Sequence, residues 1–240
     1  MDPVTAAVTE PLATGVNAVL RSRVTPPAGA LVTGAGPVGL GAVALLAERG
    51  IHPLLVSDPS PQRRALAMRF GADQAVDPAH ADPVAAWRAL TDGQQRLYVF
   101  EASGRLGLLH ELICRVPPHT CFFVAGACME LDAIRPVMAV MKNISVTFLT
   151  AQDWDEDEYT AFRVTLDRVA DGRIDAAALV TGYAGFDGVP GLFASLRPAD
   201  PHAIEHVKIL VRPELPGTGI YLRREFSRNA SRRSSGSSSP

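Results

Sequence analysis

Short apolar runs and longer amphipathic stretches take turns along most of this chain. Residues 30–34, 53–58, 74–77, 97–101, 120–126 and 143–150 are short apolar runs bounded by Gly, Pro, Asp or Ser, and read as strands. Helical periodicity fills the intervals, over 38–49, from Ser60-Pro61 to Phe70, from Asp82-Pro83 to Leu90, over 105–115 and near 131–141. Ser60 and Asp82 each supply a capping oxygen one residue before a proline that fits the first helical position. Gly71 closes the second of these helices. A further helix, opening at Thr9-Glu10-Pro11-Leu12-Ala13 and running to Arg21, precedes the first strand. Six strand–helix units in succession predict an α/β fold with a doubly wound parallel sheet, because parallel neighbours need crossover helices. The ligand crevice of such a sheet lies at the carboxyl ends of its strands, where strand order reverses. Gly34, Asp58, Ala102, Ser103, Ala125 and Gly126 all fall at such ends.

After Thr150 the pattern changes. An acidic stretch, Asp153 to Glu158, leads into a helix over 156–171 that Gly172 ends. An apolar segment over 176–181, a helix near 187–197 and a final strand over 206–211 follow. Residues 213–240 read as a disordered Arg/Ser-rich tail, since a segment such as 232–240 has too little apolar surface to bury.

Composition narrows the field. The chain has 240 residues, 47% hydrophobic and 20% charged, as an ordinary globular domain has. Lys plus Arg number 23 against 25 Asp plus Glu, which gives no reason to expect nucleic acid or an acidic membrane as partner. No apolar run reaches membrane-spanning length, and the first residues lack the basic-then-apolar pattern of a signal peptide, so a cytoplasmic location is expected. Cys114, Cys121 and Cys128 form neither a CxxC pair nor a disulfide framework and are expected to be buried small hydrophobes.

The densest chemical signal is Gly34-Ala35-Gly36-Pro37-Val38-Gly39, between the first strand and the first helix of the alternating series. Gly34 allows a tight turn, Gly36 lets a pyrophosphate approach the backbone, and Gly39 lets the helix pack closely on the strand. The phosphates would meet free N–H groups at a positive helix end. Asp58, nineteen positions beyond Gly39, ends the second strand, where a carboxylate can accept the ribose hydroxyls of NAD. A glycine turn in another α/β domain, or in a methyltransferase, is the alternative.

The order of motifs adds to this. Glu10-Pro11-Leu12, the glycine loop, Ser57-Asp58-Pro59-Ser60-Pro61-Gln62-Arg63, Phe70-Gly71-Ala72-Asp73, Phe100-Glu101-Ala102-Ser103-Gly104 and Val207-Lys208-Ile209 together resemble the medium-chain, zinc-type alcohol dehydrogenase family, in particular its polyol, butanediol and threonine dehydrogenase branch. The resemblance covers roughly residues 5–212 and implies a Rossmann NAD(P)-binding domain over 23–150, a lead-in helix over 1–22, and over 151–212 the segment that returns to complete the family's catalytic domain. The GroES-like catalytic domain with which the family begins has no counterpart here, so the chain reads as a fragment or a shortened dehydrogenase. By resemblance, Gly34, Gly36, Pro37, Val38 and Gly39 form the pyrophosphate loop. Asp58 is then the ribose acid, Arg63 flanks the adenosine, and Ser103, Ala125, Gly126 and Ala127 line the cleft. Glu10 matches a glutamate at or near the catalytic zinc of polyol-type members; as one ligand of the three or four that zinc requires, it is not expected to hold zinc in this chain alone.

Other signals carry less. His202 and His206 are four apart, but no HExxH glutamate accompanies them. Tyr98, Tyr159, Tyr183 and Tyr221 all lack the lysine four residues on that a short-chain reductase uses. The arginines beyond 222 fit solvated disorder, and Glu101 is read as a strand-end acid without a proton-transfer role. The resulting expectation is an NAD-dependent dehydrogenase, with NADP as the competing cofactor, acting on a small alcohol or ketone as a homodimer through the strand at 143–150. A non-catalytic dinucleotide-binding module or sensor is the alternative.

Overall fold

The computed structural model describes residues 2–91, 95–149, 156–195 and 206–223. Its first sheet holds β1 (Ala28–Thr33), β2 (Leu54–Ser57), β3 (Gln74–Val76), β4 (Arg96–Glu101), β5 (Cys121–Val124) and β6 (Ser145–Phe148) in the order β3-β2-β1-β4-β5-β6. Every pairing in it is parallel. The chain winds outward one way from β1 to β3, then crosses back to β4, so the strand order reverses between β1 and β4. Val32 pairs with Val56 on one side and Phe100 on the other, and Phe100 with Phe123. Alternate residues point to opposite faces, and both faces of β1, β2 and β5 are covered, which is why these strands are mostly apolar, whereas the edge strand β6 is exposed or half-exposed along its length. One face sends Val32, Val56, Phe100 and Phe123 into a core shared with helix side chains such as Leu12, Val16, Leu40 and Val43. The other sends Leu31, Leu55, Val99 and Phe122 against Trp87, Leu112 and Ile113.

The crossover helices are α3 (Pro37–Glu48), α4 (Pro61–Arg69), α5 (Pro83–Ala89), α6 (Leu108–Arg115) and α7 (Pro136–Met141). Ser60 caps α4 by accepting from Arg63 N, and Asp82 caps α5 by accepting from Val84 N and Ala85 N, as the sequence signals require. Gly71 follows α4 at φ 105°, a left-handed conformation suited to glycine.

Ahead of β1 lie α1 (Pro3–Ala6), a short turn of helix not anticipated from the sequence, and α2 (Thr9–Ser22). The α2 helix crosses α3 with a glycine on each side of the contact. A Cβ on Gly15 would fall 2.6 Å from Ala42 N, with the Val38 carbonyl oxygen nearer still; a Cβ on Gly41 would fall 3.0 Å from Leu12 Cα. The two helices therefore meet backbone to backbone.

The described residues beyond 155 pack on the rest of the molecule. The helix α8 (Glu156–Ala170) brings Ala161 and Val169 into the core that contains Val16 and Val19 of α2, and Ile174, Ala176, Leu179 and Val180 join it. Arg168 seals the seam with a 2.6 Å ion pair from its Nε to Glu48. A second sheet, order β8-β7-β9, contains β7 (Val180–Ala184), β8 (Lys208–Val211) and β9 (Ile220–Leu222), with β8 parallel and β9 antiparallel to β7; α9 (Val189–Ser195) lies between β7 and β8 in sequence.

Two expectations are corrected. The stretch from 213 is not a tail throughout: Ile220, Tyr221 and Leu222 are an apolar triplet that pairs with β7, its partner being too distant in sequence for a local pattern to show. Residues 224–240 lie outside the described residues. The cysteines differ among themselves: Cys121 is buried in β5, Cys128 is half-buried after it, and Cys114 is exposed on the outer side of α6.

The helix crossing yields a test with a clear sign. In an open helix, Gly→Ala stabilises by about 1 kcal/mol. At Gly15 the added methyl meets backbone, so Gly15→Ala is expected to destabilise by about 2 kcal/mol and lower Tm by roughly 5 °C. Gly191 in α9 has nothing within 4 Å of a Cβ, so Gly191→Ala should leave Tm unchanged or raise it. Thermal unfolding followed by circular dichroism compares the two.

Candidate functional site

The site is built where β1 and β4 separate. Hydrogen bonds carry the parallel ladder one step beyond the strands: Gly34 N donates to Ser57 O at 2.8 Å, Ala102 N to Thr33 O at 2.8 Å and Ala125 N to Glu101 O at 2.8 Å. Three loops consequently rise side by side from β1, β4 and β5.

The β1 loop uses its glycines in three different ways. Gly34 sits at φ 88°, and a Cβ there would come within 2.9 Å of the Ser103 backbone. Gly39, in the first turn of α3, leaves room only for the Gly34 peptide, whose carbonyl carbon would lie 3.0 Å from an added Cβ. Gly36 is the opposite case: a Cβ would meet nothing within 4 Å, so open space stands before it. Gly36, Pro37 and Val38 are half-exposed at this mouth, whereas Gly34, Ala35 and Gly39 are buried. No side chain among the described residues caps α3, and Pro37 occupies its first position. The positive end of a twelve-residue helix therefore faces open space lined by backbone.

Asp58 lies directly after β2 and is only 2% exposed. Its Oδ2 accepts from Ala35 N at 2.7 Å and its Oδ1 from Ser60 N at 2.8 Å. The acid thus grips the middle of the glycine loop, and each oxygen keeps acceptor capacity. Arg63 and Arg64 divide their work in a way the sequence did not reveal. Arg64 Nη1 donates to Asp58 O and Pro59 O, each at 2.7 Å, and pairs with Asp77 at 3.2 Å. Arg63 Nη2 instead donates to His206 O at 3.2 Å, two residues ahead of β8, while its Nε is buried with no partner among the described residues.

Ser103, Ala125, Gly126 and Ala127 come together beside Gly34, in the loops after β4 and β5. Ala125 N and Gly126 N donate to Glu101 O, and Gly104, at φ 63°, packs so closely on Ala127 that a Cβ would lie 2.6 Å from its oxygen. Glu101, set aside on sequence grounds, holds this group, as its carboxylate accepts from Ser103 N and Gly104 N. Glu10 is elsewhere, exposed in the first turn of α2. Among the described residues no group of three or more His, Cys, Asp or Glu could hold a metal ion. His206 Nδ1 lies 3.3 Å from Thr181 Oγ1, and His202 falls outside the described residues.

Comparison with known proteins agrees with this architecture. The family of zinc-binding dehydrogenases matches residues 37–166, more than half of the chain. L-threonine 3-dehydrogenase of Thermococcus kodakarensis is 32% identical over 201 residues, which span 82% of this chain and 55% of that protein. The crystal structure of 2R,3R-butanediol dehydrogenase from Bacillus subtilis superposes with a TM-score of 0.71 at 26% identity, covering 89% of this chain and 59% of that one. An alcohol dehydrogenase of Escherichia coli CFT073, solved in complex with NADH, shares the fold at a TM-score of 0.69 and 22% identity, over 87% of this chain and 59% of its own. The chain spans about half the length of the curated relatives it matches. With its strand order, its glycine loop and this match together, the chain belongs to the zinc-binding dehydrogenase family.

Proposed function

We propose that this chain is the dinucleotide-binding part of an NAD-dependent dehydrogenase that interconverts a secondary alcohol or polyol and its ketone. The observation that carries this reading is the Ala35 N to Asp58 Oδ2 hydrogen bond, which joins the glycine loop to the ribose acid. Around it, Gly36, Pro37 and Val38 would receive the pyrophosphate, with the free amides of the first turn of α3 as donors. Asp58 would accept ribose hydroxyls on its remaining lone pairs, with Arg63 beside the adenosine. Ser103, Ala125, Gly126 and Ala127 would wall the opposite side. When bound there, the nicotinamide supplies the hydride acceptor. This chain's own residues bind the cofactor, orient it and keep its pyrophosphate on backbone donors. The described residues do not fit zinc: Glu10 is a single exposed carboxylate, and a zinc site takes three or four ligands. No step is assigned to zinc in this chain. The division into a lead-in helix over 1–22, a cofactor unit over 23–150 and a return segment over 151–212 follows from the same reading. The unpaired cysteines favour the reducing cytoplasm as its location. Among the described residues no helix is long and apolar enough to cross a membrane.

A homodimer belongs to the same proposal. Among the described residues β6 pairs with β5 alone. Phe148 on β6 itself is 69% exposed, and Met129, Leu131, Val140 and Met141, which lie between β5 and β6 in sequence, are exposed as well. Unpaired strand groups beside apolar surface favour a second copy of the chain as the cover.

Three outcomes test these proposals. Titration with both cofactors should show tighter NAD than NADP binding, because a buried carboxylate repels a 2′-phosphate. Equal or tighter NADP binding would show Arg63 outweighing Asp58, and Asp58→Ala should weaken NAD binding about tenfold while narrowing the preference. Gly36→Val places a side chain in the open space and should abolish NAD binding with a native circular dichroism spectrum; unchanged affinity would refute the fingerprint. In sedimentation velocity the chain should run as a dimer and Phe148→Lys should shift it toward monomer, whereas a stable wild-type monomer at micromolar concentration would sink the proposed interface.

A further inference from the structure

Glu101 closes β4 with a carboxylate that is only 4% exposed. Oε1 accepts three donors from one turn: Ser103 N at 2.7 Å, Ser103 Oγ at 2.5 Å and Gly104 N at 3.0 Å. The same residue's backbone carbonyl accepts Ala125 N at 2.8 Å and Gly126 N at 2.9 Å from the next loop. Oε2 stands against Gly126, in space that a side chain on that residue would need. The turn it gathers touches the glycine loop in two places. The Ser103 backbone stands 2.9 Å from where a Cβ of Gly34 would be, and the Ala102 Cβ stands 3.5 Å from where a Cβ of Gly39 would be. One residue thus sets the spacing of all three loops that rise from β1, β4 and β5.

The cost of this arrangement points to a purpose beyond stability. Burying a carboxylate is unfavourable, and the hydrogen bonds it gains largely offset that penalty without a large surplus. The sheet below is already held by apolar contacts of Leu97, Val99 and Phe100. A carboxylate oxygen does have one advantage here: it converges three donors of one turn on a single point.

We infer that Glu101 is a positioning residue for the dinucleotide, acting through Ser103 and Gly104 to hold the loop after β4 against Gly34 at the spacing the cofactor needs. This rests on the dinucleotide reading of the site. Glu101 itself is not placed in contact with the cofactor. Its reach, more than its charge, does the positioning, since an amide oxygen at the same place could accept the same donors.

The test is a fluorescence titration of the full chain with NADH, at a temperature where circular dichroism shows each variant folded, paired with hydrogen exchange at Ser103 and Gly104. Glu101→Ala should weaken NADH binding about tenfold, the loss that one hydrogen bond to a charged group carries. It should also speed exchange of both amides. Glu101→Gln should recover most of the affinity and the protection, which a role resting on net charge would not allow. Ser103→Ala, which removes a single donor, should cost about threefold. Should Glu101→Ala not fold, Glu101→Asp, with its shortened reach, decides together with Ser103→Ala: both must weaken binding. Folded Glu101→Ala that binds within about twofold of wild type, or folded Glu101→Asp and Ser103→Ala that both do, overturns the inference. Wild-type chain that binds no NADH overturns the dinucleotide reading, and the inference falls with it; the two failures are told apart by the wild-type titration alone.

Discussion

Backbone packed directly on backbone, where side chains are absent, is the constraint on which this structure rests. Gly39 lets the first turn of α3 settle on the Gly34 peptide, and Gly15 and Gly41 let α2 settle on α3. Each contact depends on the one before. If α3 stood further from β1, its amides would not face the open space before Gly36, and α2 would lose its seat. The hydrophobic core fills in around these contacts and supplies most of the free energy of folding, but it does not determine how closely the chain segments approach.

Much of this was legible in the sequence because the signals are local. A cap followed by proline marks Ser60 and Asp82, and both cap as expected. Short apolar runs mark all six parallel strands, and each lies within a residue or two of its expected span. The glycine loop and Asp58 could be connected from their spacing, because a βαβ unit has a fixed length. The structure adds that Ala35, a position without a motif role, is the residue whose amide joins them.

The features that escaped the sequence are those settled between distant segments. The strand at Ile220–Leu222 is too short to show periodicity and exists because β7 offers it an edge. Leu179 and Val180 are buried in the core that α2 and α8 share, and Leu192 packs with Ala184 and Ile209 of the second sheet, contacts that no local pattern announces. Phe186 and Phe193 remain exposed. Nothing in the pair Arg63-Arg64 tells which guanidinium turns toward Asp58, since the choice depends on where Asp77 and His206 come to lie.

The link from Arg63 to His206 O joins two parts of the molecule that are 143 residues apart in sequence. On the proposed reading one end is a side chain beside the adenosine, and the other is the backbone leading into the second sheet. A guanidinium committed to that carbonyl is less free to turn toward a phosphate. If Arg63 is the residue that would meet a 2′-phosphate, the second sheet acts as a tether on it. Exchanging the C-terminal segment between relatives would then change cofactor choice while leaving every residue of the glycine loop untouched.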